Sequence, residues 1–197
     1  SPCLEAQKAN GSSILLAKAS FNSGSVAPGF ACHLALSFNC SIGELSSFEN
    51  GVSCELPAGL EHVELRIASS FISSEQALVN LKRELEPFTV QTLRAEARNA
   101  WSQLLSTITP YAPEAQLRTF YSCLYRCFIY PLTMHEFDAS GAMRHWSPYD
   151  GEVHSGPLYT DNCFWDTHRT LYPLFSILIP DRLAEMLEGY LNAAREG

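Results

Sequence analysis

The segment SSFISSEQALVNLKREL, residues 69–85, is where the chain changes its hydrophobic period. Just upstream, His62-Val63-Glu64-Leu65-Arg66-Ile67 alternates polar and apolar residues, the pattern of a half-buried strand. Just downstream, Ser74-Glu75-Gln76 opens a helical pattern that runs to about Leu85, before Pro87. Strands therefore come first and helices after, which predicts either two domains or one α+β domain.

Further upstream, Cys32, Leu34, Leu36 and Phe38 recur at period two against Ala31, His33, Ala35 and Ser37. Turn residues at Gly24, Gly29, Gly43 and Asn50-Gly51 separate the runs, as in an antiparallel sandwich. Downstream, Val90, Leu93, Ala97, Trp101, Leu104, Leu105 and Ile108 mark one face of a long helix. Leu117, Phe120, Tyr121, Leu124 and Phe128 mark another, ending near Pro131. About 30 residues then read as loop, to Asn162; loops of that length inside a compact protein are usually functional or disordered, and the aromatic content of this one argues against disorder. A helix resumes around Phe164, with Asp161 or Asn162 as the expected N-cap. Pro180 opens a last helix whose buried side is expected to be Leu183, Met186, Leu187, Tyr190 and Leu191.

Composition narrows the partners. Apolar residues make up 46% of the 197 and charged ones 17%, enough for a sizeable core, and the net charge is −8. That balance argues against nucleic acid or an anionic membrane, both of which need clustered Lys and Arg. No apolar run approaches the roughly 18 residues of a membrane span; Leu171 to Ile179 is too short and contains Pro173. The chain opens Ser-Pro-Cys, so either a leader has been removed or the start is internal. It ends at Glu196-Gly197 with too few helices to close a core, so a piece of a longer protein is expected. Cys32, Cys40 and Cys54 read equally well as disulfide partners and as buried thiols. Two glycosylation sequons, Asn10-Gly-Ser and Asn39-Cys-Ser, lean toward a secretory route.

The chemistry is concentrated between His145 and Arg169. His145-Trp146-Ser147-Pro148-Tyr149-Asp150-Gly151 is a turn-forming loop dense in hydrogen-bonding groups. In Phe164-Trp165-Asp166-Thr167-His168-Arg169, Asp166 and Arg169 are three apart and share a helix face. A carboxylate accepts from two adjacent hydroxyls, a guanidinium donates in a fixed plane, and an indole covers the C–H side of a pyranose. Together they make a wall that reads a monosaccharide. The plainer alternative is a surface Asp166–Arg169 ion pair with Trp165 in the core. No histidine pair has the spacing of a zinc site, and there is no phosphate loop or nucleophile elbow.

The runs FYSCLYRCFIYP (120–131) and HWSPYDGEVHSGPLYTDNCFWDTHRTLYPL (145–174) closely resemble glycoside hydrolase family 92, and SSFISSEQALVNL (69–81) resembles the end of that family's first domain. The resemblance implies a multi-domain α and β chain. It would hold the end of an N-terminal β-sandwich (1–72), a helical linker (73–112) and the first helices of an incomplete (α/α)6 barrel (113–197). It implies inverting, calcium-assisted removal of terminal α-linked mannose from glycans, in an extracellular or secretory setting. Trp165, Asp166 and Arg169 would line the terminal-mannose subsite, with Asp150 and Gly151 in the matching loop. The catalytic acid and base are expected beyond Gly197, so the chain alone is expected to be inactive. Calcium would belong to the full-length parent, with none bound by this chain. The rival reading is a non-catalytic carbohydrate-binding protein on the same wall. Two residues depart from the family pattern: Cys163 stands where glycine is commoner, and His168 where Tyr is usual. Neither is expected to touch the Asp166–Arg169 pair.

Overall fold

A computed structural model describes residues 4–9, 13–20, 27–48 and 51–197. The sequon at Asn10, the turn at Gly24, and Cys3 lie outside these residues. Six strands come first: β1 (Leu4–Ala9), β2 (Ile14–Ala19), β3 (Cys32–Phe38), β4 (Leu45–Phe48), β5 (Gly51–Cys54) and β6 (Leu65–Ser70). Helices α1 (Ser74–Glu84), α2 (Val90–Leu105) and α3 (Glu114–Cys127) follow. Five short strands occupy the stretch that reads as loop: β7 (Leu132–Thr133), β8 (His135–Phe137), β9 (Met143–Trp146), β10 (Val153–Ser155) and β11 (Tyr159–Thr160). They are two to four residues long, too brief for alternation to show in sequence. Helices α4 (Phe164–Thr167), α5 (Leu171–Leu178) and α6 (Pro180–Glu196) close the described chain. None of the described helices is long and apolar enough to cross a membrane.

The chain forms two compact units. The first holds residues 1–87, 136–155 and 196–197, and the second 88–135 and 156–195. In the first unit an antiparallel sheet runs in the order β1-β2-β3-β6. Leu16 pairs with Ala35 and Ala35 with Ala68, a row across one face. Helix α1 covers that row with Ala77 and Leu81. This corrects the strand reading. In β6 it is Ala68 and Ser70 that are buried, while Ile67 is 53% exposed; in β3 Ala35 is fully buried. Period two fixes which residues share a face, but not which face the helix covers. The helix has selected the small-residue face.

Helix α1 begins where the sequence places it. The Ser73 hydroxyl accepts from Gln76 N at 3.1 Å, with Glu75 in the first turn and Lys82 and Arg83 in the last, each favourable to the helix dipole. Its buried polar side ties down β8. Gln76 Nε2 donates to Phe137 O (2.8 Å), and Asn80 Nδ2 donates to Glu136 Oε2 (2.7 Å). Phe71 N donates to Glu136 Oε1 at 2.7 Å. These bonds fasten residues 136–155 to the first unit, although more than 50 residues separate the partners.

The second unit packs Leu124, Phe128, Tyr159, Phe175 and Met186 as its core, with Phe128 and Phe175 stacked at 5.6 Å. Trp101, Leu104 and Leu105 of α2 lie against it. Gly189 is buried in α6, where a Cβ would come within 3.0 Å of the Tyr159 ring. A side chain there would require the Tyr159 ring to give by a few tenths of an ångström. Met186 is buried, and Leu183 and Tyr190 pack on the core, but Leu187 and Leu191 are 50% and 56% exposed. They are corrected from the buried side of α6: the apolar arc of this helix is wider than the neighbour that covers it.

Candidate functional site

In the first unit, β9 carries His145 and Trp146 into the turn at Ser147–Gly151. His145 and Ser147 are fully buried, and the Trp146 ring lies 5.3 Å from Phe30. His145 Nε2 is 3.0 Å from Glu196 Oε1, a pairing across 51 residues that sequence spacing does not reveal. The turn closes through Ser147 N to Glu152 O (2.8 Å) and Gly151 N to Ser147 O (3.0 Å). Gly151 has φ +81, and a Cβ on it would lie 3.4 Å from Ala27 Cβ. Glycine is required there by conformation more than by space.

Asp150 is committed to the same turn. Its Oδ1 accepts from Glu152 N at 2.9 Å and its Oδ2 is 2.8 Å from His154 Nε2. The Glu152 N–H first, and His154 after it, hold this carboxyl below the usual carboxylate range. The sequence reading groups Asp150 and Gly151 with the sugar wall; within their own unit both serve the geometry of a hairpin.

In the second unit, β11 leads through Asp161 (φ 60) and Cys163 (φ 45) into α4. Cys163, not Asp161 or Asn162, is the N-cap; it is left-handed and makes no side-chain cap bond. Left-handed backbone costs an L residue about 1–2 kcal/mol and favours glycine, the residue that the family resemblance leads one to expect here. The turn is held instead from the far end. Thr167 Oγ1 donates to Asn162 O and Cys163 O, both at 3.1 Å, and Thr170 Oγ1 to Asp166 O at 2.7 Å. Phe164 sets its edge on Tyr190 at 5.2 Å, and the Tyr190 and Tyr172 hydroxyls bond at 2.9 Å. Burial, then the Tyr172 hydroxyl, pushes the Tyr190 phenol well above its ordinary range.

This short helix lifts Trp165 clear of the core: the indole is 89% exposed. Asp166 is exposed too, and no described residue donates to its carboxylate or pairs with it. Arg169 Nε donates to His168 Nε2 at 3.0 Å. So the surface ion pair with a core tryptophan does not form. His168, in turn, does touch Arg169, contrary to the sequence expectation. Beside the turn is a cleft of about 480 Å³ lined by Arg126, Cys127, Tyr130, Asn162 and Thr167. Asn162 Oδ1 is buried without a hydrogen-bond partner among the described residues. The described cysteines are free thiols.

Known proteins resemble this chain in sequence and fold. The glycosyl hydrolase family 92 catalytic domain profile matches residues 76–197. The chain belongs to glycosyl hydrolase family 92. It is similar to the family GH92 inverting mannosidase BT2199 of Bacteroides thetaiotaomicron VPI-5482, at 35% identity and TM-score 0.84, over 94% of this chain and 28% of that one. It shares a fold with the GH92 α-mannosidase BT3965 of the same species, at 22% identity and TM-score 0.82, over 98% of this chain and 28% of that one. The same holds for the GH92 glycosyl hydrolase ccman5, at 17% and 0.78, again over 98% and 28%. The family 92 chain therefore spans about 28% of the length of the structures it matches. No curated protein matches it.

Among the described residues no group of three or more His, Cys, Asp or Glu is placed to hold a metal ion.

Proposed function

We propose that this chain supplies the wall that receives terminal mannose in an exo-α-mannosidase, a secreted or secretory-pathway enzyme that trims mannose-containing glycans, N-glycans among them. The observation that carries the reading is the α4 turn: an exposed indole beside an exposed carboxylate that no described residue engages. Exposing a tryptophan to that degree forfeits on the order of 2–3 kcal/mol of burial, which a stacking ligand would restore. Trp165 would cover the C–H face of the pyranose, Asp166 would accept from adjacent hydroxyls, and Arg169, oriented by His168, would donate to an oxygen. We assign the first unit's sheet to a β-sandwich (1–72), residues 73–112 to a linker, and the helices from 113 to an (α/α)6 barrel.

Inversion needs an acid on the leaving oxygen and a base on water, about 6.5–9.5 Å apart. We assign neither to this chain, whose residues bind and orient. Acid and base each contribute about 10²- to 10⁴-fold in rate, so the purified chain should show no turnover of α-mannosides. Binding is the direct test. Methyl α-mannoside should shift the Trp165 indole N–H resonance, and Asp166→Ala should abolish the shift. A shift that survives Asp166→Ala, or none at millimolar sugar, would remove the wall assignment.

A further inference from the structure

His168 is the C-cap of α4, at the end of a short helix whose last carbonyls have no partners within the helix. The ring turns back on them: Nδ1 lies 2.9 Å from Trp165 O and 3.2 Å from Phe164 O. Nε2 lies 3.0 Å from Arg169 Nε. These contacts admit one proton arrangement. A carbonyl oxygen only accepts, so Nδ1 must carry the hydrogen. An arginine Nε only donates, so Nε2 must present its lone pair. The imidazole is therefore neutral and in the Nδ1–H form. Its bond takes Arg169 Nε and leaves the two terminal guanidinium nitrogens without partners among the described residues.

We propose that His168 is a positioning residue whose neutral ring aims the Arg169 guanidinium at the sugar, and that its protonation releases Arg169 and weakens the subsite in acid. The inference rests on the proposed sugar wall. A proton on Nε2 would set two N–H donors, and two positive charges, against each other at 3.0 Å. That contact cannot persist. Histidine is the side chain that ordinarily changes charge between about pH 5 and 8. The tyrosine that the family resemblance leads one to expect at this place titrates near pH 10, at about two units higher or more, and takes up no proton in that range. The acid sensitivity therefore belongs to this chain's departure from the family pattern. The titratable groups around the ring are Asp166 and Arg169 on its own turn, Asp161 and Cys163 at the entry to α4, and Tyr172 and Tyr190, which pack on Phe164 from α5 and α6. No described carboxylate pairs with His168 to offset the added charge.

Nitrogen-15 NMR of the whole chain tests this with and without sugar. In the free chain at about pH 8, the His168 ring should show a protonated Nδ1 and a bare Nε2, the reverse of the form an unconstrained imidazole favours. With methyl α-mannoside, titration of the Trp165 indole N–H should give an affinity about fivefold weaker at about pH 5.5 than at about pH 8. His168→Gln keeps an oxygen that accepts from Arg169 Nε and takes no proton, so it should bind equally at the two pH values. His168→Phe should bind weakly at both. A merely structural residue would give flat profiles in every form of the chain. The opposite tautomer, equal parent affinities at the two pH values, an acid loss that persists in His168→Gln, or tight binding by His168→Phe would each overturn this proposal alone. An indole that the sugar shifts at neither pH, with the Nδ1–H form in place, removes the wall and this proposal with it.

Discussion

Two aspartates from one stretch of sequence have opposite circumstances. Asp150 lies in a hairpin whose polar atoms answer one another: Glu152 N on one oxygen, His154 on the other, and Gly151 turning the chain behind it. Asp166 lies on a four-residue helix entered through left-handed Cys163, with a free carboxylate and an exposed indole beside it. A hairpin carboxylate with both oxygens engaged contributes to local stability. A carboxylate left open on a backbone held at some strain is the one available to a ligand. Proximity in sequence to a recognisable motif does not distinguish these two; their hydrogen bonds do.

The contrast can be broken most directly by kinetics. In an active enzyme carrying this segment, Asp166→Ala should cost about 2–4 kcal/mol of transition-state binding, some 30- to 900-fold in kcat/KM, with little change in Tm. Asp150→Ala and Glu152→Ala should stay within about threefold in kcat/KM. Equal losses at positions 150 and 166 would mean that both aspartates serve the sugar.

The hairpin should respond in stability instead. Gly151→Ala places a side chain at φ +81 and should destabilise the first unit by about 1–2 kcal/mol in urea unfolding. An unchanged midpoint would show that the turn relaxes freely. The α4 entry should respond with the opposite sign. Cys163→Gly relieves the left-handed residue and adds unfolded-chain entropy, for a net gain of about 0.5–1 kcal/mol. A loss there would mean that the thiol makes a contact of its own.

The smallest effect is on pH dependence. Asp150 is held below its ordinary range in the folded state, so its contribution is present above the unfolded value of about 4 and is lost as pH falls below it. Melting curves between pH 6 and 2.5 should fall less steeply for Asp150→Asn than for the parent. Coincident curves would show that the Glu152 and His154 bonds do not persist in solution.

Much of the fold is legible in the sequence because it depends on neighbours close along the chain. Ser73 caps α1, a Thr89–Thr92 capping box opens α2, and Pro180 occupies the first turn of α6. Each is set within four residues. The short strands from Leu132 to Thr160 are not legible, since two- to four-residue ladders take their direction from partners elsewhere. The same limit applies to the wall. The types and spacing of Trp165, Asp166 and Arg169 suggest a sugar-reading surface. Whether Asp166 pairs with Arg169, and whether Trp165 is core or surface, depends on how Cys163 turns the chain and where His168 lies.

The sequence by itself determined the order of strands before helices, the starts of the main helices and the family. Local hydrogen bonds and motif residues carry that information without help from distant segments. The tertiary structure decided which face of β6 is buried and how much of the apolar arc of α6 is covered. It put Ala68 rather than Ile67 inside, left Leu187 and Leu191 outside, joined His145 to Glu196, and closed Asp150 while leaving Asp166 open. Periodicity states that a segment has two faces. Which face is buried is settled by the helix or strand that packs against it, and that neighbour is often many residues away in the chain.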